Sequence, residues 1–134
     1  MATLQETIAK ICPTATVAEV DGAPMINVDD AHWHELAKAL RDNEDLAMDY
    51  LVTIAGFDHV DTMGCVYYLM STRHNTNVAV TVNATGDRTQ PMIHSVSDLW
   101  KVAGLYEREV YDFFGIIFVN NPDMRRLFLS IDWE

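Results

Sequence analysis

Glu107 and Glu109 are the first residues whose chemistry must be weighed, because paired carboxylates serve as general acid and base. Their surroundings read as helix, and residues two apart on a helix point about 200° away from each other. The pair therefore cannot share a substrate and reads as a solvated face. His32-x-x-Glu35 has the spacing of two metal ligands on one helical face, but no third ligand follows nearby. His34, His59, His74 and His94 are scattered and sit in no recognisable nucleophile motif. No G-x-S-x-G motif frames a nucleophile. The six glycines stand singly, so no phosphate-binding loop is present. Cys12 and Cys65 lie far apart with no C-x-x-C, which excludes a cysteine-held iron–sulfur cluster and leaves two small apolar thiols.

The same acids belong to a longer motif, Glu107 to Ile116 followed by Asn121 to Arg126. It crowds carboxylates and arginines among aromatics, punctuated by Gly115 and Pro122. Arg108 precedes Asp112 by four residues and is placed to pair with it along a helix. Arg125 and Arg126 have only Asp123 nearby, so their natural acceptors are Glu107, Glu109 and Asp112, brought within reach by a turn at Pro122. Such a clamp would pin the C-terminal segment against the helix. Trp100, Tyr106, Tyr111, Phe113, Phe114, Phe118, Phe128 and Trp133 read mainly as core, with Trp and Tyr also suited to anchor an interface.

The elements that position this motif follow from periodicity. Residues 3–12 form a short helix stopped by Pro13. Residues 16–20 and 24–28 are a hairpin turned at Asp21-Gly22. Asp29 and Asp30 cap a helix in which Trp33, Leu36, Ala37 and Leu40 recur at i, i+3, i+4, i+7. Strands follow at 50–57, 64–72 and 78–82, joined by short polar links that suit antiparallel hairpins. Ser95-x-x-Asp98 resembles a capping box. Leu99, Ala103, Tyr106, Val110 and Phe113 or Phe114 then share a stripe, with Gly104 splitting it into helices near 96–103 and 105–113. Gly115 fits a left-handed cap, and 116–119 is extended. Pro122 starts one helical turn through Arg126. The expected fold is α+β, a mostly antiparallel sheet of about four to five strands with helices on one face. Residues 1–134 make a single domain.

With 20 acids against 9 bases the net charge is −11, which disfavours nucleic acid and anionic membrane surfaces as partners. The longest apolar run is far below the roughly 20 residues that span a bilayer. Residues 1–6 show neither a secretory signal nor a transit peptide, so the chain reads as cytosolic.

The run Glu107-Arg108-Glu109-Val110-Tyr111-Asp112-Phe113-Phe114-Gly115-Ile116 with Pro122-Asp123-Met124-Arg125-Arg126 resembles the signature of the thirty-kilodalton subunit family of respiratory complex I. In bacteria that family is the C-type subunit of NADH:quinone oxidoreductase. The likeness extends upstream through Ser97-Asp98-Leu99-Trp100 and the strands near Tyr50–Asp58 and Val66–His74. It departs at Asn121, where the family often has His, and at Phe113, where Met is common. The family usually continues beyond Asp132-Trp133-Glu134, so the chain is expected to be an excised domain, as from a fused C–D polypeptide, or a short version.

The resemblance implies a non-catalytic structural subunit of the peripheral arm, on the cytoplasmic face of the inner membrane through the complex. Its implied partners are the forty-nine-kilodalton, D-type subunit and the cluster-bearing, B-type subunit. No cofactor is expected on this chain; NADH, FMN, iron–sulfur clusters and quinone belong to other subunits. Glu107, Arg108, Glu109, Tyr111, Asp112, Gly115, Pro122, Asp123, Arg125 and Arg126 are the expected interface and structural motif. An equivalent subunit of an energy-converting hydrogenase or formate hydrogenlyase carries the same motifs. A rival of another class is a free-standing hydrolase using Glu109 or Asp112, which requires carboxylates converging in a cleft.

Overall fold

The structure is a computed structural model that describes residues 4–12, 15–20, 23–44, 46–58, 62–85 and 91–121. The chain order is α1 (Leu4–Ile11), β1 (Thr16–Val20), β2 (Ala23–Asp29), α2 (Asp30–Asp42), β3 (Tyr50–Asp58), β4 (Met63–Ser71), β5 (Thr76–Asn83), β6 (Met92–His94), α3 (Ala103–Phe114) and β7 (Ile117–Val119). The expected α+β class holds, and the periodic segments fall within a residue or two of their expected bounds.

Five strands form one sheet in the order β1-β2-β5-β4-β3. The hairpins β1–β2, β3–β4 and β4–β5 are antiparallel, as short polar links dictate. The β2–β5 contact is parallel, with Ile26 opposite Val80 and Val28 opposite Val82. A parallel pair needs a long crossover, and here α2, β3 and β4 supply it. β6 and β7 form a separate two-stranded parallel pair, Ile93 opposite Phe118.

Alternation decides which side of the sheet is covered. Cys65, Tyr67, Leu69 and Ser71 of β4 point inward with Val78, Val80 and Val82 of β5, and all are buried. The apolar stripe of α2 packs here, with Trp33 and Tyr67 rings 4.5 Å apart at 44°. α3 covers the same face further along, against β3. A β-carbon built on Gly56 would stand 2.5 Å from Phe114 Cδ2 and 3.2 Å from Val110 Cγ1, so only glycine lets the helix lie this close.

Two expected caps differ in the structure. The Asp29 carboxylate makes no cap bond to α2 and meets His32 Nδ1 at 2.7 Å. Asp30 lies inside the first turn, buried, where it accepts the His94 backbone N–H at 2.7 Å. It thereby ties α2 to β6, and its Oδ2 lies 3.1 Å from the His94 ring. The Ser95-x-x-Asp98 box does not open a helix either. Asp98 Oδ2 lies 2.9 Å from His34 Nε2, and residues 96–102 are successive tight turns, including Leu99 N–H to Val96 O. One helix, α3, replaces the two expected pieces; Gly104 sits buried in its first turn without breaking it.

Candidate functional site

α3 carries the motif, and its buried stripe is Ala103, Glu107, Val110 and, half-buried, Phe114, at i, i+4, i+7, i+11. A carboxylate therefore occupies a core position. Glu107 is 0% exposed. Its Oε1 accepts the Ser95 hydroxyl at 2.7 Å and the Asn121 amide at 2.8 Å, and its Oε2 accepts the Val96 N–H at 2.9 Å. These donors lie in the segment after β6 and just beyond β7. One side chain thus joins α3 to the C-terminal end of each strand of the small parallel pair.

Burial raises the Glu107 pKa from its ordinary value of 4.5 to about 7. The hydrogen bonds from Val96, Ser95 and Asn121 oppose that rise, and the nearby Asp98 charge adds to it. Cys65 and Tyr67 on β4 feel the same environment: burial pushes the thiol and the phenol upward, and the Glu107 charge reinforces both. The Trp33 indole offsets part of the rise at Tyr67, yet neither Trp33 Nε1 nor the Tyr67 hydroxyl has a partner of hydrogen-bond geometry. A carboxyl that titrates near neutrality inside a core is the kind of group that acid–base catalysis uses. Here its oxygens are engaged by fixed internal donors, so the arrangement works as a brace.

The surrounding joints reinforce that brace. Trp100, buried, donates its indole N–H to Met48 O at 3.1 Å, and Arg41 Nη1 donates to Leu99 O at 3.3 Å. Gly115 closes α3 at φ 73°, with its N–H donating to Tyr111 O, as a left-handed cap requires.

The helical phase separates the motif acids as expected, but the pair is not a solvated face: Glu109 is exposed, whereas Glu107 falls on the side of α3 that packs against the sheet and is buried. Arg108 and Asp112 are both exposed and do not pair, contrary to the expected i, i+4 bridge. Glu109 and Asp112 border one shallow groove with Phe113, Phe114, Val110, Ile54 and Gly56. Of the two phenylalanines offered for the stripe's end, Phe114 packs against the core, whereas Phe113 is 88% exposed. Trp100 and Phe118 are buried as expected, while Tyr106, Tyr111 and Phe114 are half-buried. Pro122, Asp123, Arg125 and Arg126, with the clamp they were expected to form, lie outside the described residues, as do Phe128 and Trp133. Ser95 and Asn121 were missed as site residues. Their one sequence signal is the polar pair that brackets α3 and β7, and it is weak.

Sheet, helices and buried carboxylate define a small α+β domain with a mixed sheet and a polar node at its helix–sheet junction. The family model described as respiratory-chain NADH dehydrogenase, 30 Kd subunit, matches residues 26–134. The chain belongs to this family, as its motif suggested. The NADH-quinone oxidoreductase C/D subunit of Bacteroides thetaiotaomicron is 43% identical over 105 residues, covering 70% of this chain and 20% of that protein. The NADH-quinone oxidoreductase C subunit of Chloroherpeton thalassium is 33% identical over 124 residues, covering 88% of this chain and 51% of that protein. The chain thus spans a fifth to about half the length of these relatives.

Among solved structures, the trypsin-resistant fragment (1-134) of Nqo5 matches with a TM-score of 0.71 at 23% identity, covering 89% of this chain and 94% of that one. A chain of the membrane-bound sulfane sulfur reductase, an archaeal respiratory membrane complex, matches at 0.75 and 22%, covering 87% and 69%. At such identities the likeness is one of fold. Among the described residues, no helix is long and apolar enough to cross a membrane.

Proposed function

We propose that this chain is a structural subunit, or the matching domain of a fused C/D subunit, in the peripheral arm of a proton-translocating NADH:quinone oxidoreductase. Residues 1–134 act as one domain that supports the quinone-reducing module and carries no electrons itself. NADH, FMN, iron–sulfur clusters and quinone belong to neighbouring subunits. The partners are a forty-nine-kilodalton, D-type subunit and a cluster-bearing, B-type subunit, and the complex places the chain on the cytoplasmic face of the inner membrane. The observation that carries this reading is the family match over 26–134, which takes in the whole charged motif. Relatives named as C/D subunits support the D-type subunit as the neighbour, because there the two parts share one polypeptide name.

The motif residues divide by role. Glu107 and Gly115 hold α3 in place, while Arg108, Glu109, Tyr111 and Asp112, with Pro122, Asp123, Arg125 and Arg126, serve the interface. The geometry favours this over a hydrolase: the buried acid is closed in by its donors, and the exposed acids flank an exposed phenylalanine. The test removes both exposed carboxyls. In cells lacking the native gene, Glu109→Gln with Asp112→Asn should leave quinone reductase turnover unchanged in every complex that assembles. Fully assembled complexes without turnover would overturn the non-catalytic reading.

A further inference from the structure

We propose that the outer face of α3, with the groove it makes against β3, docks a partner-subunit segment carrying an apolar side chain next to an arginine or lysine. This rests on reading the chain as an assembly subunit, and it names the surface and its chemistry.

Leu105, Glu109, Asp112 and Phe113 recur at i, i+4, i+7, i+8 and are all exposed. They form a second stripe on α3, opposite the buried one. Its two ends are apolar and its middle carries two carboxylates. Phe113, 88% exposed, is the largest apolar surface the helix offers. A phenylalanine so exposed is not required by folding, and rigid aromatic anchors beside a pocket are what interfaces use. The pocket is there: Phe113 borders a groove of about 400 Å³ whose floor is Ile54, Gly56 and Val110. Glu109 and Asp112, beside Phe113 on the helix, border it too.

Charge selects the occupant. Among the described residues no cation pairs with Glu109 or Asp112, and even Arg108, four residues before Asp112, does not. The groove therefore presents two carboxylates to a guest, within a chain of net charge −11. A second copy docked face to face would set these acids against each other. An anionic lipid surface would be repelled. A partner segment with one cation and one apolar side chain satisfies both halves of the groove: the cation reaches the carboxylates and the apolar group covers Phe113.

The test uses the full-length protein in its native complex. A photoreactive benzoylphenylalanine at position 113 should cross-link to another subunit, at a stretch where an Arg or Lys adjoins apolar residues. Glu109→Arg with Asp112→Arg should lower the fraction of chain recovered in the complex by about tenfold at low salt, and by less at high salt, where the repulsion is screened. Glu35→Arg, an exposed charge reversal on α2, should leave it unchanged. Phe113→Ala should weaken association by about thirty-fold. All these side chains are exposed, so the fold is retained, and circular dichroism confirms it. Cross-links confined to residues 122–134 of the same chain, or to a second copy, would overturn the proposal, as would wild-type assembly of the double reversal. If the complex forms but position 113 gains no partner adduct, only this inference fails. If the wild-type chain brings down no other subunit, the reading beneath it fails too.

Discussion

Replacing Glu107 with Gln should flatten the pH dependence of stability. The folded protein holds the Glu107 proton until about pH 7, whereas the unfolded chain releases it near the ordinary 4.5. The folded state therefore binds the proton more tightly, and stability falls as pH rises between those values. At about 1.4 kcal/mol per pH unit, the wild-type chain loses about 3 kcal/mol from this group across that window. Below pH 4.5 the contribution is fully present; above 7 no more is lost. Gln cannot ionise, so Glu107→Gln escapes this loss. It carries a separate, pH-independent cost of about 1 kcal/mol or more, because its amide must face a donor, either Val96 N–H or Asn121. Guanidinium unfolding followed by the buried Trp33 and Trp100 should be run at pH 4.5 and 7.5. The stability difference should move toward the variant by about 3 kcal/mol between those two conditions. Asp42 and Asp49 do not confuse the result. Hydrogen bonds from Arg41 and Thr72 hold them below the usual carboxylate value, so their contribution is lost only in stronger acid. Parallel pH profiles for both proteins would refute the reasoning, since they would require Glu107 to titrate in the folded protein as it does in the unfolded chain.

Three further perturbations test the surrounding packing. Gly56→Val should destabilise by about 1–3 kcal/mol in thermal or chemical unfolding, because the added side chain meets the Phe114 ring; a neutral outcome would mean α3 stands off the sheet. Gly115→Ala, forced to φ 73°, should cost about 1 kcal/mol; stabilisation would contradict the left-handed cap. Tyr67→Phe removes a buried hydroxyl without a hydrogen-bond partner and should be neutral or stabilising by about 1 kcal/mol; a loss of about 2 kcal/mol or more would show that the hydroxyl is satisfied.

Most of the fold was legible because its signals are local. The stripe Trp33, Leu36, Ala37, Leu40 marked α2, and the alternation Val78, Val80, Val82 marked β5. The parallel β2–β5 pairing was not legible, since no local pattern names a strand's distant neighbour. β6, three residues long, is too short to show alternation, whereas the extended reading of 116–119 matches β7. The failed capping box has a tertiary cause: Ser95 gives its hydroxyl to Glu107, and Asp98 turns to His34. The site was half legible. Helical phase parted Glu107 from Glu109, but the stripe runs through Tyr106 and either Phe113 or Phe114, which leaves the glutamate outside the core. A phase through Ala103, Glu107, Val110 and Phe114 would have exposed the anomaly of an acid on a buried face.

Membership of the 30 Kd subunit family and an internal brace whose acid is closed in by its own donors lead to one central claim. That claim is the proposal that this chain works as a supporting part of a quinone-reducing complex. Affinity isolation of the full-length protein from native membranes, with its companions identified by mass spectrometry, tests this directly. The account predicts recovery with a forty-nine-kilodalton-type subunit, an iron–sulfur subunit and NADH:quinone reductase activity. Recovery as a free protein, with neither companion and no such activity, would contradict it.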